Sequence, residues 1–238
     1  MTTDMPLLGV MQLQNTPVTV PGSMGHPDSY DAPAIFRQVP GAWTENIVGE
    51  GREVLPAYIE TARALEAEGC TALITNCGFT ARFQKDVAVA VSIPVAMSSL
   101  LLVPWALGLL APGQKLGIVT YDSTQLTEVH FNGAGWSRKT APVEIVGIEG
   151  SESWRRMADP DTRLDRAMVE RDVLAATQGM LEAHPEIRSI VLECSAFPLA
   201  GEAVRRETGL PTVHFITMAN MLIRSAPPRP AAARAAAE

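Results

Sequence analysis

Short apolar runs recur along the chain, and each is bounded by small polar residues, glycine or proline. The clearest runs cover residues 6–11, 71–75, 115–120 and 190–192. Uninterrupted apolar runs of this length are typical of parallel strands that are buried on both faces. Between the runs, segments such as residues 53–68 and 161–183 place apolar side chains at helical spacing. The alternation predicts an α/β fold in which helices flank short parallel sheets.

Two of the apolar runs lead to a cysteine, and the features around these cysteines are repeated. Cys77 and Cys194 are 117 residues apart, and Pro94 and Pro211, which open the apolar segments that follow, are separated by the same interval. The paired features come in the same order, which indicates an internal duplication. We therefore expect two pseudo-symmetric lobes, each a short parallel sheet flanked by helices, with the active site in the cleft between them.

The duplication also predicts where each lobe begins and ends. The first lobe, which carries Cys77, is expected to comprise residues 1–105 plus 212–238, and the second, which carries Cys194, residues 106–211. The last strand and helix match those that follow Pro94, so the chain is expected to cross back and complete the first lobe. The final residues, rich in proline and alanine, are expected to fray.

Composition narrows the class of protein. The 238 residues are 47% hydrophobic and carry a net charge of −7 without a basic cluster, which argues against a nucleic-acid partner. The most apolar run, residues 100–111, is too short to cross a membrane. Residues 1–6 lack the basic segment of a secretion signal, and three cysteines are an odd number. These observations predict a cytoplasmic protein with reduced thiols and no membrane partner.

The positions of Cys77 and Cys194 indicate proton-transfer chemistry. Ligands of open parallel sheets bind beyond the carboxyl ends of the strands, where both cysteines are expected to lie. A helix that begins after each cysteine would favour a thiolate and bind an anion. Two thiols on opposite sides of one carbon can act as base and acid, and so invert its stereochemistry without a cofactor.

The sequences Thr75-Asn76-Cys77-Gly78 and Glu193-Cys194-Ser195, with the duplicated lobes, resemble the aspartate/glutamate racemase superfamily. This superfamily includes aspartate, glutamate and hydantoin racemases, maleate cis–trans isomerase and arylmalonate decarboxylase. The resemblance implies a cofactor-free homo-oligomeric enzyme, with a homodimer expected, and catalytic roles for Cys77 and Cys194. It further implies that a substrate carboxylate is bound by a set of polar positions, namely Asn76, Gly78, Ser98, Ser99, Tyr121 and Ser195.

The chain departs from the amino-acid racemases at several positions. Gly78 and Ser195 stand where those racemases usually have threonine, and Ala196 stands where glutamate racemases have histidine. Glutamate racemase proper is therefore disfavoured. The leading hypothesis is a two-base racemase or epimerase of a small carboxylate such as aspartate. Cis–trans isomerisation or decarboxylation in the same cleft is the alternative, and a small-anion binding protein without chemistry is the hypothesis from a different class.

A long segment rich in proline and glycine, residues 14–43, follows the first strand. Such a loop is too long for a simple connection, so we expect it to form a lid over the cleft, with His26 and Tyr30 able to touch a carboxylate. Two distant cysteines without a histidine cluster do not predict a metal site. Cys70 reads as a small buried hydrophobic residue. Glu193 either tunes Cys194 or forms a structural hydrogen bond; the sequence leaves both open.

Overall fold

Eight strands and nine α-helices alternate within residues 5–15, 20–159 and 164–228, which are the residues that the computed structural model describes. The strands are β1 (Leu8–Gln12), β2 (Ala34–Gln38), β3 (Ala72–Thr75), β4 (Val95–Ala96), β5 (Lys115–Thr120), β6 (Val143–Gly147), β7 (Ile187–Leu192) and β8 (Thr212–His214). The helices are α1 (Thr44–Val48), α2 (Leu55–Ala67), α3 (Gln84–Ala88), α4 (Val103–Leu107), α5 (Glu128–Gly133), α6 (Glu152–Ala158), α7 (Arg166–Ala183), α8 (Gly201–Thr208) and α9 (Phe215–Ser225).

The strands form two parallel four-stranded sheets with the same connectivity. The strand orders are β2-β1-β3-β4 and β6-β5-β7-β8, and every pair is parallel. The side chains of β1 and β3 are fully buried, as the uninterrupted apolar runs predicted. The prediction of two pseudo-symmetric α/β lobes is thus confirmed.

The two cysteines occupy equivalent positions just beyond the sheets. The backbone N–H of Asn76 donates to Met11 at 3.0 Å, and the backbone N–H of Glu193 donates to Val119 at 2.8 Å. Each bond extends its ladder by one residue past the end of β3 or β7. Cys77 and Cys194 come directly after these bonds, so both leave the sheet at its carboxyl edge, where parallel sheets bind ligands.

The last strand does not lie where the sequence placed it. Residues 212–238 were expected in the first lobe, but β8 pairs with β7 in the second sheet. The physical reason is a short connection: a strand joined to its predecessor by one helix returns beside it as a right-handed crossover. Only α9 crosses over, where it contacts β3 and Arg224 binds Asp31 of the first lobe at 2.6 Å.

The crossing is reciprocal. After β4, the short 3-10 turn Ser99–Leu102 contacts β7, and α4 contacts β5, so this segment of the first lobe packs on the second sheet. The hydroxyl of Ser99 donates to the carbonyl oxygens of Leu192 at 3.2 Å and Glu193 at 3.1 Å. Each lobe is therefore covered in part by a segment that belongs to the other half of the chain.

Several local predictions need correction. Residues 14–43 are not one loop, because they contain the edge strand β2. Helix α5, which the sequence analysis did not single out, begins at Glu128 after its cap residue Thr127. Helix α6 was not predicted, since its seven residues are too few to show a clear period. The expected helix start at residues 161–163 and the expected fraying of residues 229–238 lie outside the described residues.

None of the helices in the described part of the chain combines the length and the hydrophobicity that a membrane span needs.

The lobes meet closely at Gly133. Helix α5 packs on the 3-10 turn Gly78–Phe83, and a Cβ at Gly133 would overlap the carbonyl oxygen of Ala81. We expect Gly133→Ala to lower the free energy of unfolding by about 1–3 kcal/mol, because one backbone must move away from the other. Gly179→Ala is the matched control: the position is exposed in α7 with open space around it, so alanine should stabilise by about 0.5–1 kcal/mol. Urea unfolding measures the free energy of unfolding of both variants. Equal changes in the two variants would contradict the close approach of the backbones at Gly133.

Candidate active site

A cavity of about 100 Å³ lies between the lobes, and both Cys77 and Cys194 line it. The carboxyl ends of four central strands surround it. Its lining from these strand ends comprises Leu13, Asn15, Asn76, Cys77, Gly78, Phe79, Tyr121, Glu193, Cys194, Ser195 and Ala196. The structure therefore brings the two cysteines to one cavity, as the duplicated pattern predicted.

Cys77 is buried and its thiol is held in the protonated form. Burial is the main cause that raises the pKa of Cys77 to about 12, and the carboxylate of Glu193 adds to it. The backbone N–H groups of Phe79 and Thr80 donate to the sulfur and oppose the shift, as does the positive charge of Arg82. The site thus already contains groups that stabilise a thiolate.

Cys194 has a matching environment on the other side. Burial and then Glu193 raise its pKa, while the backbone N–H of Ala196 and the hydroxyl of Ser195 oppose the rise. In each lobe the sulfur thus receives the backbone N–H of the residue two positions later. The Cys194 Sγ lies 4.0 Å from the Sδ of Met157 in α6. The duplication has preserved the local geometry of the thiols as well as their positions.

Glu193 is a fully buried carboxyl group in the wall of this cavity. Its Oε2 accepts a hydrogen bond from the hydroxyl of Thr120 at 2.8 Å, whereas its Oε1 is buried and has no hydrogen-bond partner among the described residues. Burial raises the pKa of Glu193 to about 7, against the hydrogen bonds from Thr120 and from the backbone of Tyr121. The group titrates near neutral pH at the centre of the site.

The glycine at position 78 makes room for this carboxyl group. A Cβ there would overlap Oε1 of Glu193 and would lie 2.7 Å from the Glu193 carbonyl oxygen. Any other residue at position 78 would therefore push the two lobes apart. The departure from the racemase pattern at Gly78 follows from the presence of Glu193 across the cleft.

Three further predicted contacts line the cavity. Asn76 accepts the backbone N–H of Leu13 at 2.8 Å through its Oδ1, and Ser195 lies beside Cys194. Tyr121 is held differently from the expectation, because its hydroxyl donates to the carbonyl oxygen of Trp154 at 3.1 Å and its ring stacks on that indole. In this arrangement Tyr121 positions α6 and does not offer its proton to a carboxylate.

Three other residues that were predicted to contact a substrate, Ser98, Ser99 and His26, are not among the described residues that line the cavity. Ser98 caps the turn that follows it by accepting the backbone N–H of Leu100 at 3.2 Å, and Ser99 donates to strand β7 as described above. His26 accepts the backbone N–H of Asp28 at 3.2 Å. These three side chains bond to the backbone, so sequence position near the cleft was not sufficient to place them in it.

The residues that sequence reasoning missed come mainly from α6. Arg156, Met157 and Asp159 line the cavity, and Arg156 forms an ion pair with Glu152 at 2.9 Å. The available signal was Ser151, whose hydroxyl accepts the N–H of Trp154 at 3.1 Å as a helix cap. An exposed arginine of this kind is suited to a carboxylate.

The expected lid covers part of the cavity. Ser23, Met24 and Gly25 line it, and the preceding turn is tied to the second lobe because Arg166 donates to the carbonyl oxygen of Pro21 at 2.7 Å. The Tyr30 hydroxyl donates to the Met24 carbonyl at 2.6 Å, so it secures the loop and is not free for a ligand. Residues 16–19 lie outside the described residues, and opening of the loop stays a prediction.

A group of metal-ligand residues lies elsewhere. In the described part of the chain, Glu144, His184 and Glu186 bring their side chains together. The ammonium group of Lys115 lies 2.6 Å from Glu144 and 2.8 Å from Glu186. Since Lys115 begins β5, this cluster is at the amino ends of the strands, away from the cysteines, and the lysine already pairs with both carboxylates.

Two relatives of known name are similar over most of the chain. A dimethylsulfoniopropionate lyase from Durusdinium sp. clade D is 31% identical over 226 residues, which cover 91% of this chain and 74% of that protein. Dimethylsulfoniopropionate lyase 3 from Emiliania huxleyi (strain CCMP1516) is 28% identical over 232 residues, which cover 93% of this chain but 60% of that protein. No protein-family model matches the chain.

Solved structures share the fold at low identity. Arylmalonate decarboxylase superposes with a TM-score of 0.60 at 17% identity, covering 94% of this chain and 96% of that one. Allantoin racemase from Pseudomonas fluorescens superposes with a TM-score of 0.59 at 16% identity, covering 92% of this chain and 89% of that one. Glutamate racemase from Francisella tularensis superposes with a TM-score of 0.53 at 15% identity, covering 94% of this chain and 81% of that one. The chain thus has the fold of arylmalonate decarboxylase and of these racemases, which confirms the fold expected from the sequence resemblance.

The raised pKa of Glu193 predicts how stability depends on pH. The folded chain keeps this proton to about pH 7, whereas an unfolded glutamate releases it near 4.5. The folded state then binds more protons between these values, so the free energy of unfolding falls as pH rises through this window. Glu193→Gln removes the effect: we expect it to be more stable than the wild type by about 3 kcal/mol at about pH 8, and similar near pH 4.

Urea unfolding of both proteins at the two pH values measures this difference, and the other titrating groups cancel in the comparison. A gap that is unchanged between the two pH values would show that the carboxyl group does not carry a raised pKa.

Proposed function

Since the chain belongs to a family of enzymes, the dimethylsulfoniopropionate lyases, we propose that it is a lyase that cleaves a small sulfonium carboxylate of this kind. The observation that carries the proposal is the pair of cysteines, Cys77 and Cys194, on one cavity between the lobes. The chain spans about three quarters of the Durusdinium relative and 60% of the Emiliania one, so substrates and partners of the whole proteins are carried over as proposals only. The expected homodimer and cytoplasmic location also stay predictions.

The proposed reaction is an elimination. A cysteine thiolate removes a proton from the carbon next to the carboxylate. The electron pair forms the carbon–carbon double bond while the carbon–sulfur bond breaks, and sulfur leaves with the bonding pair as neutral dimethyl sulfide. The other product is acrylate. The thiol returns its proton to solvent, so atoms and charge balance without an added reactant.

The cavity supports this reaction through the charge of the substrate. Both thiols are protonated because burial and the Glu193 carboxylate disfavour a second negative charge. A sulfonium group that enters the cavity brings a positive charge close to both sulfurs. An opposite charge within a few ångströms lowers a thiol pKa, so the substrate itself favours formation of the base.

Negative charge that develops on the carboxylate side is met by donors at the rim. Arg156 is the proposed contact for the carboxylate, because its guanidinium group lines the cavity and presents paired donors. The amide of Asn76 and the hydroxyl of Ser195 are further proposed contacts that line the same cavity. Such contacts are stronger in a site that excludes water.

A two-base racemase or epimerase is the second candidate. It is favoured by one observation: each cysteine has the same backbone N–H donor two residues later, so the lobes present two equivalent thiols. Racemisation requires a base on one face of a carbon and an acid on the other, whereas elimination requires one base. The two candidates therefore make different demands on the cysteines.

Product analysis tests the proposed reaction. We expect the purified protein to convert dimethylsulfoniopropionate to dimethyl sulfide and acrylate in equal amounts, detected by gas chromatography and NMR in heavy water. The Cys77→Ser, Cys194→Ser double variant is the control and should form neither. Exchange of the proton next to a carboxylate without acrylate, with aspartate as well, would favour the racemase. If the protein catalyses neither proton exchange nor elimination with any small carboxylate, both candidate functions are contradicted.

The single cysteine variants distinguish the mechanisms. For a lyase, one of Cys77→Ser and Cys194→Ser should lower turnover at least about a hundredfold, because serine is a far weaker acid, while the other keeps more activity. For a racemase, both should lose at least that much. Initial rates with folded protein measure this, and Cys70→Ser is the matched control because Cys70 lies outside the described lining. Near-normal rates in both variants would remove the cysteines from the mechanism.

A further inference from the structure

A carboxylate oxygen in the cavity wall has no partner in the described structure. The Oε1 of Glu193 is buried without a hydrogen bond, while Oε2 uses one bond from Thr120. A buried polar atom without a partner costs on the order of 1–3 kcal/mol, and more when charged. Such an atom in the wall of a cavity calls for an explanation, and a ligand group that enters the cavity is one. Glu193 therefore has the features of a binding group whose counterpart comes from outside the chain.

The charges around the cavity are separated by depth. Glu193 is 0% exposed, whereas the Arg156 side chain is 44% exposed and Asp159 is also exposed. The other ionisable groups that face Glu193 are Cys77, Cys194 and Tyr121, and burial keeps all three protonated. Within the described lining, the inner part thus presents one carboxyl group, whereas the outer part presents the Arg156 guanidinium group together with the Asp159 carboxylate.

We propose that Glu193 binds the cationic onium group of the substrate, while the substrate carboxylate points outward to Arg156. The inference rests on the proposed function for the identity of the cation as a sulfonium group. It adds the residue that binds the cation and the outward direction of the substrate carboxylate. Attraction between opposite charges is strong in a buried site, so Glu193 discriminates against analogues that lack the positive charge of the onium group.

The same interaction fits the course of the elimination. The sulfonium group becomes a neutral thioether when the carbon–sulfur bond breaks, so the attraction to Glu193 is present for the substrate and absent for that product. Glu193 therefore acts on binding and specificity, and its loss should raise KM more than it lowers kcat. Gly78 belongs to the same binding site, because only a residue without a Cβ leaves space for the Glu193 carboxyl group.

Two probes of equal shape test the inference. 3-(Dimethylammonio)propanoate carries an ammonium group in place of the sulfonium group, and 4-methylpentanoate has the same carboxylate and shape with an uncharged carbon in that position. Their dissociation constants are measured by calorimetry at about pH 8, where Glu193 is ionised. We expect the wild type to bind the cationic probe at least about tenfold more tightly. In Glu193→Gln the ratio should fall to about threefold or less, and Glu193→Asp should restore part of it.

Glu144→Gln is the control, because Glu144 lies at the opposite ends of the strands, and it should keep the wild-type ratio. A wild-type ratio near one overturns the inference, and this measurement needs no variant to fold. An unchanged ratio in folded Glu193→Gln overturns it too. If the protein prefers the cationic probe but does not cleave dimethylsulfoniopropionate, only the proposed reaction is contradicted. If it cleaves dimethylsulfoniopropionate without this preference, only the inference is contradicted.

Discussion

The contact between the Glu193 carboxyl group and Gly78 is the constraint on which the site depends. It joins the wall of one lobe to the turn after β3 in the other, and it does so at a distance that permits no side chain at position 78. Burying an ionised carboxylate costs several kcal/mol unless it is paired, and Glu193 receives hydrogen bonds only from the Thr120 hydroxyl and the backbone of Tyr121 among the described residues. The fold therefore holds an unfavourable group at the centre of its cavity, which is typical of functional sites.

The reciprocal exchange of helices explains how the fold tolerates that cost. Helix α9 returns to the first lobe and α4 packs on the second, so a separation of the lobes would expose both helices. Ser99 lies within this exchange and holds the backbone of Glu193 through its hydroxyl. The position of the carboxyl group is thus fixed by packing that extends far beyond the cavity, and not by its own few hydrogen bonds.

The sequence predicted the features that repeat and missed those that depend on contacts across the cleft. Cys77 and Cys194 were found because apolar runs and a fixed interval place both at strand ends. Strand β8 was misplaced because an apolar run does not reveal its neighbour in a sheet. The pairing of Gly78 with Glu193 joins residues far apart in the chain, and one sequence contains no signal for it. Arg156 was missed because α6 is short.

Burial acts in the same direction on each acidic group of the cavity. It raises the pKa of Cys77, Cys194 and Glu193, and the charge of any one of them opposes ionisation of the others. The two thiols therefore keep their protons at neutral pH, which protects them from the reactions of a thiolate. A cation changes this balance for all three groups at once, since it stabilises whichever charge forms beside it. Under the proposed function, such a site would form its base in response to a positively charged substrate, and a carboxylate of the same shape without the cation would leave the thiols protonated.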